Sequence, residues 1–450
     1  MLDTSRLPLH LDSMARARRR AIGDGTRRGP APGPSGDAGL AGLLHDYLTG
    51  GCFLEADRLV ATVTAGGRGA LRLALDLLRG THPEATVWLP APGRDRDAAL
   101  AVHLGLNIRP YPWSDAAGIA TGPMLDRLGA TAPGDVILVQ ACGHDPTGLD
   151  LGPGEWSALA QLCRQTGAVP LIDLSQAGPA AGPAAAMEGP AALMAAVPEA
   201  LLAVSAAQGF GLEEERTGLL YLQAETPEEA GAALLHLQRL TALAIGMPPL
   251  AGARAAAHLL ASPELRHDWE AEMRRLRMSL GTTRAALAEA LAERIGGTDW
   301  SPLAGGRGLF ACLPLDPAGR LQLWTDHGIA TAAGGRVNLS GLDEAMIARL
   351  AEALPPCLAA TGPAPRGLAA MLACLPDSGD PAGDPPAGTA ASGEAPLPRE
   401  EGTAPESGQS EAEQDAQWRR AAAERRAAEE TPASADTQDG PQPAGAEPPP

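Results

Sequence analysis

The sequence predicts an α/β protein: a large domain built on a mainly parallel sheet, followed by a smaller α+β domain. Three observations predict it. Segments 85–91, 135–141, 168–175, 199–206 and 217–224 are nearly continuous apolar runs, the pattern of strands buried on both faces. Segments of helical period precede the first of these runs (68–80) and fall between the next ones (97–106 and 154–167), as crossovers joining parallel strands require. A long helical stretch over 262–296, opened by Ser262 and Glu264 in the manner of an N-cap, leads only to the short strand-like segments "GLFACLPL" and "GGRVNLSGL" and a final helix over 343–354.

The flanks differ from this body. Residues 1–38 are Arg-rich and then Gly/Pro-rich ("TRRGPAPGPSGD") and read as a flexible leader. The body divides into a large domain over 39–275 and a small one over 276–361. Residues 362–450 form an acidic Pro/Ala/Gly-rich tail that buries too little apolar surface to offset chain entropy and reads as disordered. Within it, 411–430 has Arg/Glu pairs at i,i+4 (Arg420/Glu424, Arg425/Glu429, Arg426/Glu430) and reads as a short solvated helix, with Trp418 available to a partner.

The chain has 450 residues and a formal net charge of −19. From residue 363 onward there are 16 acids against 6 arginines, so the body is only mildly acidic and the low isoelectric point says little about partners. Neither nucleic acid nor a membrane is indicated, since no basic stripe and no run of 18 apolar residues occurs. The N-terminus lacks the order of charges and apolar residues of a secretory signal. Six cysteines without CxxC or Cys/His pairing indicate neither a metal site nor a disulfide framework, and a cytoplasmic setting fits. All 35 basic residues are arginine, and lysine is absent. A GC-rich genome is the plain cause; the chemical consequence is that no side-chain amine can form a Schiff base, because arginine stays protonated.

Candidate ligand residues cluster where predicted strands end. "TAGGRGALR" (64–72) passes from strand through glycines into a helix whose free N–H groups and positive dipole suit phosphate; a structural turn is the alternative. "HDPTG" (144–148) follows a buried strand and by itself is a favourable turn. Asp173 ends "PLID" as either a cap or a ligand. "SAAQGFGLEEERTG" (205–218) has the layout of an anion-holding loop, with Ser205 and Arg216 as donors and the neutral Gln208 between them.

In combination and order these segments resemble the class I pyridoxal-phosphate (PLP) aminotransferases of the aspartate and aromatic amino-acid branch. That family's runs HNPTG, D-x-A-Y-Q-G, S-x-S-K-N-F-G-L-Y-x-E-R-x-G and G-R-x-N-x-x-G stand here as "HDPTGLD", "IDLSQAGPAAG", "SAAQGFGLEEERTG" and "GGRVNLSGL". The likeness is near-colinear from about 56 to 357 and includes "GRGALRLA", "EWSALAQL" and the "PPLAGAR" turn. It implies the type I fold of PLP-dependent transferases. It implies PLP as cofactor, held non-covalently if at all, amino acids and 2-oxo acids as substrates, and a dimer, either of identical chains or with an aminotransferase paralogue.

The resemblance also assigns residues. Asp173 matches the acid that keeps the cofactor's pyridine nitrogen protonated, which makes the ring an electron sink. Gly67, Ser205 and Arg216 match the phosphate cup, and Arg336 the arginine that clamps the substrate carboxylate. Asp145 stands for an asparagine that donates to the cofactor's phenolic oxygen, which an ionised carboxylate would repel.

Gln208 stands at the lysine that normally forms the Schiff base and moves the proton. Gln176 replaces a tyrosine, Arg94 the tryptophan stacked on the ring, and Arg68 a threonine of the phosphate loop, while Ala242 lies where the partner's arginine for a side-chain carboxylate would be. These departures lead to a degenerate aminotransferase, a pseudoenzyme. Two alternatives stand beside it: a transaminase working by a lysine-independent route, and a non-catalytic partner of an active paralogue.

Overall fold

The computed structural model describes residues 10–24, 33–50 and 57–358, all within one unit of the chain, Met1–Gly379. The acidic tail, the helix expected over 411–430 and most of the Gly/Pro-rich leader lie outside the described residues.

Seven strands form the main sheet: β1 (Leu59–Ala65), β2 (Thr86–Ala91), β3 (Asn107–Pro112), β6 (Val136–Gln140), β7 (Val169–Leu174), β8 (Ala200–Ser205) and β9 (Thr217–Gln223), with β4 (Ser114–Asp115) and β5 (Gly118–Ile119) pairing as a separate small ribbon. The order is β1-β9-β8-β7-β6-β2-β3. Pairings from β3 through β8 are parallel; β9 runs antiparallel to both β8 and β1, so β1 points the same way as the parallel set.

Alternation along each strand explains the double cover. Trp88, Ile137, Val139, Ile172, Leu202, Val204 and Tyr221 point into one apolar cluster, while their neighbours Val87, Leu89, Val136, Leu138, Leu171, Leu201 and Leu222 point into a second one on the opposite face. The second face is closed by α3 (Gly66–Thr81), which buries Leu71, Leu75 and Leu78 at helical spacing. Two strands of the main sheet are not marked by the apolar-run pattern: β1, which the sequence shows only as the strand leading into the 64–72 glycine turn, and β3, with sequence "NIRPYP". Of these, β3 departs furthest from an apolar run. It is a sheet edge carrying two prolines and partly exposed side chains, where an apolar run is not required.

The leader expectation is corrected in part. Helix α1 (Asp12–Asp24) and helix α2 (Ala38–Thr49) flank the first cluster, with Leu11, Met14 and Ala17 buried. Arginines that read as solvated are instead partnered with acids of the long helix Pro263–Arg294: Arg16 with Asp268 and, at 3.2 Å, with Glu264, while Ser13 Oγ donates to Glu272 Oε2 at 2.5 Å. Charge complementarity between helices far apart in sequence docks what composition marks as linker.

A third apolar cluster gathers Leu280, Leu287 and Leu291 of that long helix with Phe310, Val337 and Leu350 around the two-stranded sheet β10 (Phe310–Cys312) and β11 (Arg336–Asn338). Arg284 is buried in it without a carboxylate contact. Its Nη2 donates to the carbonyls of Arg307 (2.7 Å), Gly308 (3.2 Å) and Phe310, and Nη1 to Leu303 (3.4 Å). Burial pushes its pKa down to about 10, opposed by the charge of Asp150. This one side chain sets the path of the loop that carries β10.

Arg284→Met keeps the volume and removes the donors, leaving buried carbonyls unpaired. The expected loss is about 2–4 kcal/mol of unfolding free energy, read from the urea midpoint at constant m-value.

Candidate functional site

Topology brings the predicted residues to one end of the sheet. The C-terminal ends of β1, β2, β6, β7 and β8 lie along a common edge, and the reversed β9 begins there. Ligands in open α/β sheets sit at such an edge, because the strand ends open into loops free to carry polar groups. Gly67 follows β1, Arg94 follows β2, Asp145 follows β6, Asp173 is the penultimate residue of β7, Ser205 ends β8, and Arg216 precedes β9. Arg336 arrives from the other sheet, as the first residue of β11.

One half of the edge gathers Gly66, Gly67, Ser205 and Arg216. A Cβ placed on Gly67 would stand 2.6 Å from Ser205 Cβ, so only glycine lets α3 begin this close to the end of β8. At Gly66, φ is +76° and the Arg216 guanidinium lies directly over the backbone, with Nη2 3.1 Å from where a Cβ would be. Arg216 itself is exposed and has φ +52°, the sole non-glycine positive φ among the described residues. Such a conformation is strained for a long side chain and is characteristic of functional loops. Ser205 Oγ accepts from Ala207 N–H at 3.3 Å and caps the turn Ala206–Phe210, in which Gln208 is buried.

The other half is filled by ion pairs. Asp173, 2 % exposed, accepts from Arg94 Nη2 through Oδ2 and from the Ser175 amide through Oδ1 at 2.9 Å. Arg94 also donates from Nε to Asp97 Oδ2 at 2.7 Å and from Nη1 to Ser175 Oγ at 3.4 Å. Burial works to discharge this guanidinium, and the carboxylates of Asp173, Asp97 and Asp145 outweigh it and raise its pKa.

Asp145, 1 % exposed, is held by Arg336 at both oxygens, Nε–Oδ1 2.5 Å and Nη2–Oδ2 2.9 Å. The Arg336 guanidinium also lies 3.6 Å from the Phe310 ring centroid. Arg96 Nη2 stands 3.7 Å from Asp145 Oδ2, and Arg68 Nη1 joins Asp97 Oδ1 at 3.0 Å. Burial and the positive charge of Arg94 lower the pKa of Arg96.

The structure therefore brings Gly67, Ser205 and Arg216 together as read from the sequence. It brings Asp145 and Arg336 to each other, and it gives Asp173 to Arg94. Gln176 is buried beside Gly143 and Gly308, whereas Ala242 is exposed on the helix Pro227–Ile245. Arg96, Asp97 and Ser175 belong to the constellation without having been singled out by motif. The alternating run Arg94-Asp95-Arg96-Asp97 was the available signal, since four charges at the end of a buried strand need partners.

His144 completes the edge. It is fully buried, stacked on Trp113 with ring centroids 4.2 Å apart, and its Nδ1 lies 2.9 Å from Thr147 Oγ1. Burial, with the charge of Arg94 added, holds its pKa well below the ordinary 6.5.

A doubly covered sheet with glycines, a serine, an aspartate and arginines converging at its strand ends defines an α/β protein with its polar groups gathered at one sheet edge. The chain belongs to the aminotransferase class I and II family, whose model matches residues 2–354. It is 35 % identical over 324 residues to a tyrosine aminotransferase of Rhizobium meliloti (strain 1021), covering 71 % of this chain and 82 % of that protein. It is 31 % identical over 307 residues to an aspartate aminotransferase of Escherichia coli K12, covering 68 % and 78 % respectively. Among solved structures it is similar to an aromatic-amino-acid aminotransferase from Burkholderia pseudomallei covalently bound to pyridoxal phosphate (TM-score 0.73, 29 % identity, 77 % of this chain and 88 % of that one). The fold is thus that of the type I PLP-dependent aminotransferases.

The His144 environment has a consequence for pH. The folded state excludes a proton that the unfolded chain takes up below about pH 6.5, so this contribution is fully present above pH 6.5 and is lost as pH falls toward the lowered folded value. The loss approaches about 1.4 kcal/mol per pH unit. His144→Asn is expected to flatten the slope of unfolding free energy between pH 6.5 and 5 in urea titrations.

Proposed function

We propose that this chain is a catalytically silent member of the aspartate/aromatic aminotransferase group, a cytoplasmic protein that keeps the fold and the anion cup without transaminating. The observation that carries the reading is that the chain contains no lysine and that Gln208, at the place of the Schiff-base lysine, is buried in the turn after β8. A neutral amide neither forms the covalent link nor moves a proton, and general acid–base catalysis alone is typically worth about 10²–10⁴-fold.

PLP, when bound to such a fold, supplies an electron sink. The residues present fit its phosphate end: Gly67, Ser205 and Arg216 offer a backbone approach, a hydroxyl and a guanidinium. They do not fit its ring end. Arg94 pairs with Oδ2 of Asp173 and the Ser175 amide donates to Oδ1, so a pyridinium would compete with a guanidinium already paired to that carboxylate. An ionised Asp145 repels a phenolate and already has Arg336. No catalytic step is therefore assigned through the cofactor. Arg336 remains the candidate substrate-carboxylate group by position, and amino acids or 2-oxo acids are the substrates of a working relative.

A second reading is favoured by one surface. The end of the helix Pro227–Ile245, which carries Ala242, leaves Leu243 75 % exposed, with Ile245 and Met247 also exposed. Contiguous apolar exposure of this kind suits a protein interface. It supports a chain that acts as a non-catalytic subunit, in a homodimer or beside an active paralogue.

The test is absorbance of the purified chain after incubation with pyridoxal phosphate, with and without borohydride, together with amino-group transfer from aspartate, tyrosine or phenylalanine to 2-oxoglutarate. No reducible adduct at 205–218 and no transfer are expected; turnover would refute the reading. Gln208→Lys is expected to leave transfer undetectable, because the Arg94–Asp173 and Asp145–Arg336 pairs remain.

A further inference from the structure

We propose that the chain is its own ligand: the Asp145 carboxylate occupies Arg336 as an external carboxylate would, latching β11 to the sheet edge and masking a latent carboxylate site.

The geometry is that of recognition rather than of incidental contact. A guanidinium presents its Nε and one Nη as a planar fork that matches the two oxygens of one carboxylate. Arg336 offers that fork, and Asp145 fills it at 2.5 and 2.9 Å. One face of the guanidinium is covered by Phe310, so the fork is the route by which an anion engages it side-on. An Asp145 side chain 1 % exposed and an Arg336 side chain 18 % exposed leave little water to compete. The partners are 191 residues apart, and the pair ties β11 of the small sheet to the loop after β6 of the main one.

The rest of the network surrounds the latch with further ion pairs. Arg68, Arg94, Arg96 and Arg336 face Asp97, Asp145 and Asp173, one positive charge in excess. Asp95 is also near, where burial raises its pKa while Arg320 and Arg336 oppose that rise. If Asp145 is taken away, Arg336 and Arg96 lose their carboxylate while Arg94 still saturates Asp173 and Asp97. A buried guanidinium stripped of its partner is strongly destabilising and draws in any small carboxylate able to enter. The site unmasked is therefore specific for a monocarboxylate, and acetate is the smallest probe that reproduces the deleted group.

The inference does not depend on the missing lysine. It concerns what fills the cleft of the chain as it stands, and it is read by stability rather than by turnover. Asp145→Ala is expected to lower the thermal midpoint, and acetate at tens of millimolar, against chloride at equal ionic strength, is expected to raise it again by about 2–4 °C. The unaltered chain is expected to show no acetate-specific shift.

Asp145→Asn keeps the shape and serves where the alanine variant does not fold; it is expected to show the same response, weaker because less space is opened. Arg336→Met added to either variant is expected to abolish the acetate response while leaving the midpoint no lower than that of the single variant. An acetate shift as large in the unaltered chain as in the variants would overturn the proposal, as would an acetate response that survives removal of Arg336 or the absence of a response in both Asp145 variants.

Discussion

A sheet covered by helices on both faces leaves its strands no room for charge except at their ends, and this constraint organises the molecule. Val87 and Trp88, Leu138 and Val139, Leu171 and Ile172 go alternately into the two apolar clusters. Polar side chains are then tolerated where loops leave the sheet. Because every strand but β9 runs the same way, and β9 starts where the others end, the tolerated positions converge on one edge. Gly67, Arg94, Asp145, Asp173, Ser205 and Arg216 meet there for that reason.

What the edge does with those charges departs from a ligand-ready site. Desolvating a carboxylate or a guanidinium is costly unless it is paired with good geometry. Asp173 and Asp145 are almost wholly buried, and each is matched by a guanidinium of this same chain. Arg94 is the decisive residue on one side: it brings a cation into reach of Asp173, and Asp97 holds it there. On the other side Asp145 is the partner of Arg336. Any one of these charges alone would be buried and unmatched. Together they give an edge whose buried carboxylates are paired within the chain, next to Gly67, Ser205 and the exposed Arg216.

Legibility in the sequence followed range. Strands β2, β6, β7, β8 and β9 were readable as apolar runs, and the long helix as an extended periodic stretch opened by Ser262, because both signals are local. Edge strand β3 was hidden by its prolines and arginine, and helix α1 by an arginine-rich composition whose partners, Glu215, Glu264 and Asp268 among them, lie some 200 to 250 residues away. The glycine turn and the Ser/Arg loop, which the structure places side by side, were legible. The ion pairs were not, although the run 94–97 announced that charges needed partners.

The sequence by itself determined the alternation of strands and helices, the family, the absence of any lysine and the identity of every charge at the strand ends, since these are carried by local periodicity and by residue type. Only the tertiary structure decided which charges meet. Asp145 finds Arg336 across 191 residues, and Asp173 finds Arg94 across 79, because parallel crossovers and the docking of a second sheet set those distances. Periodicity records which face a residue occupies; it does not record which residue of another strand will stand opposite it.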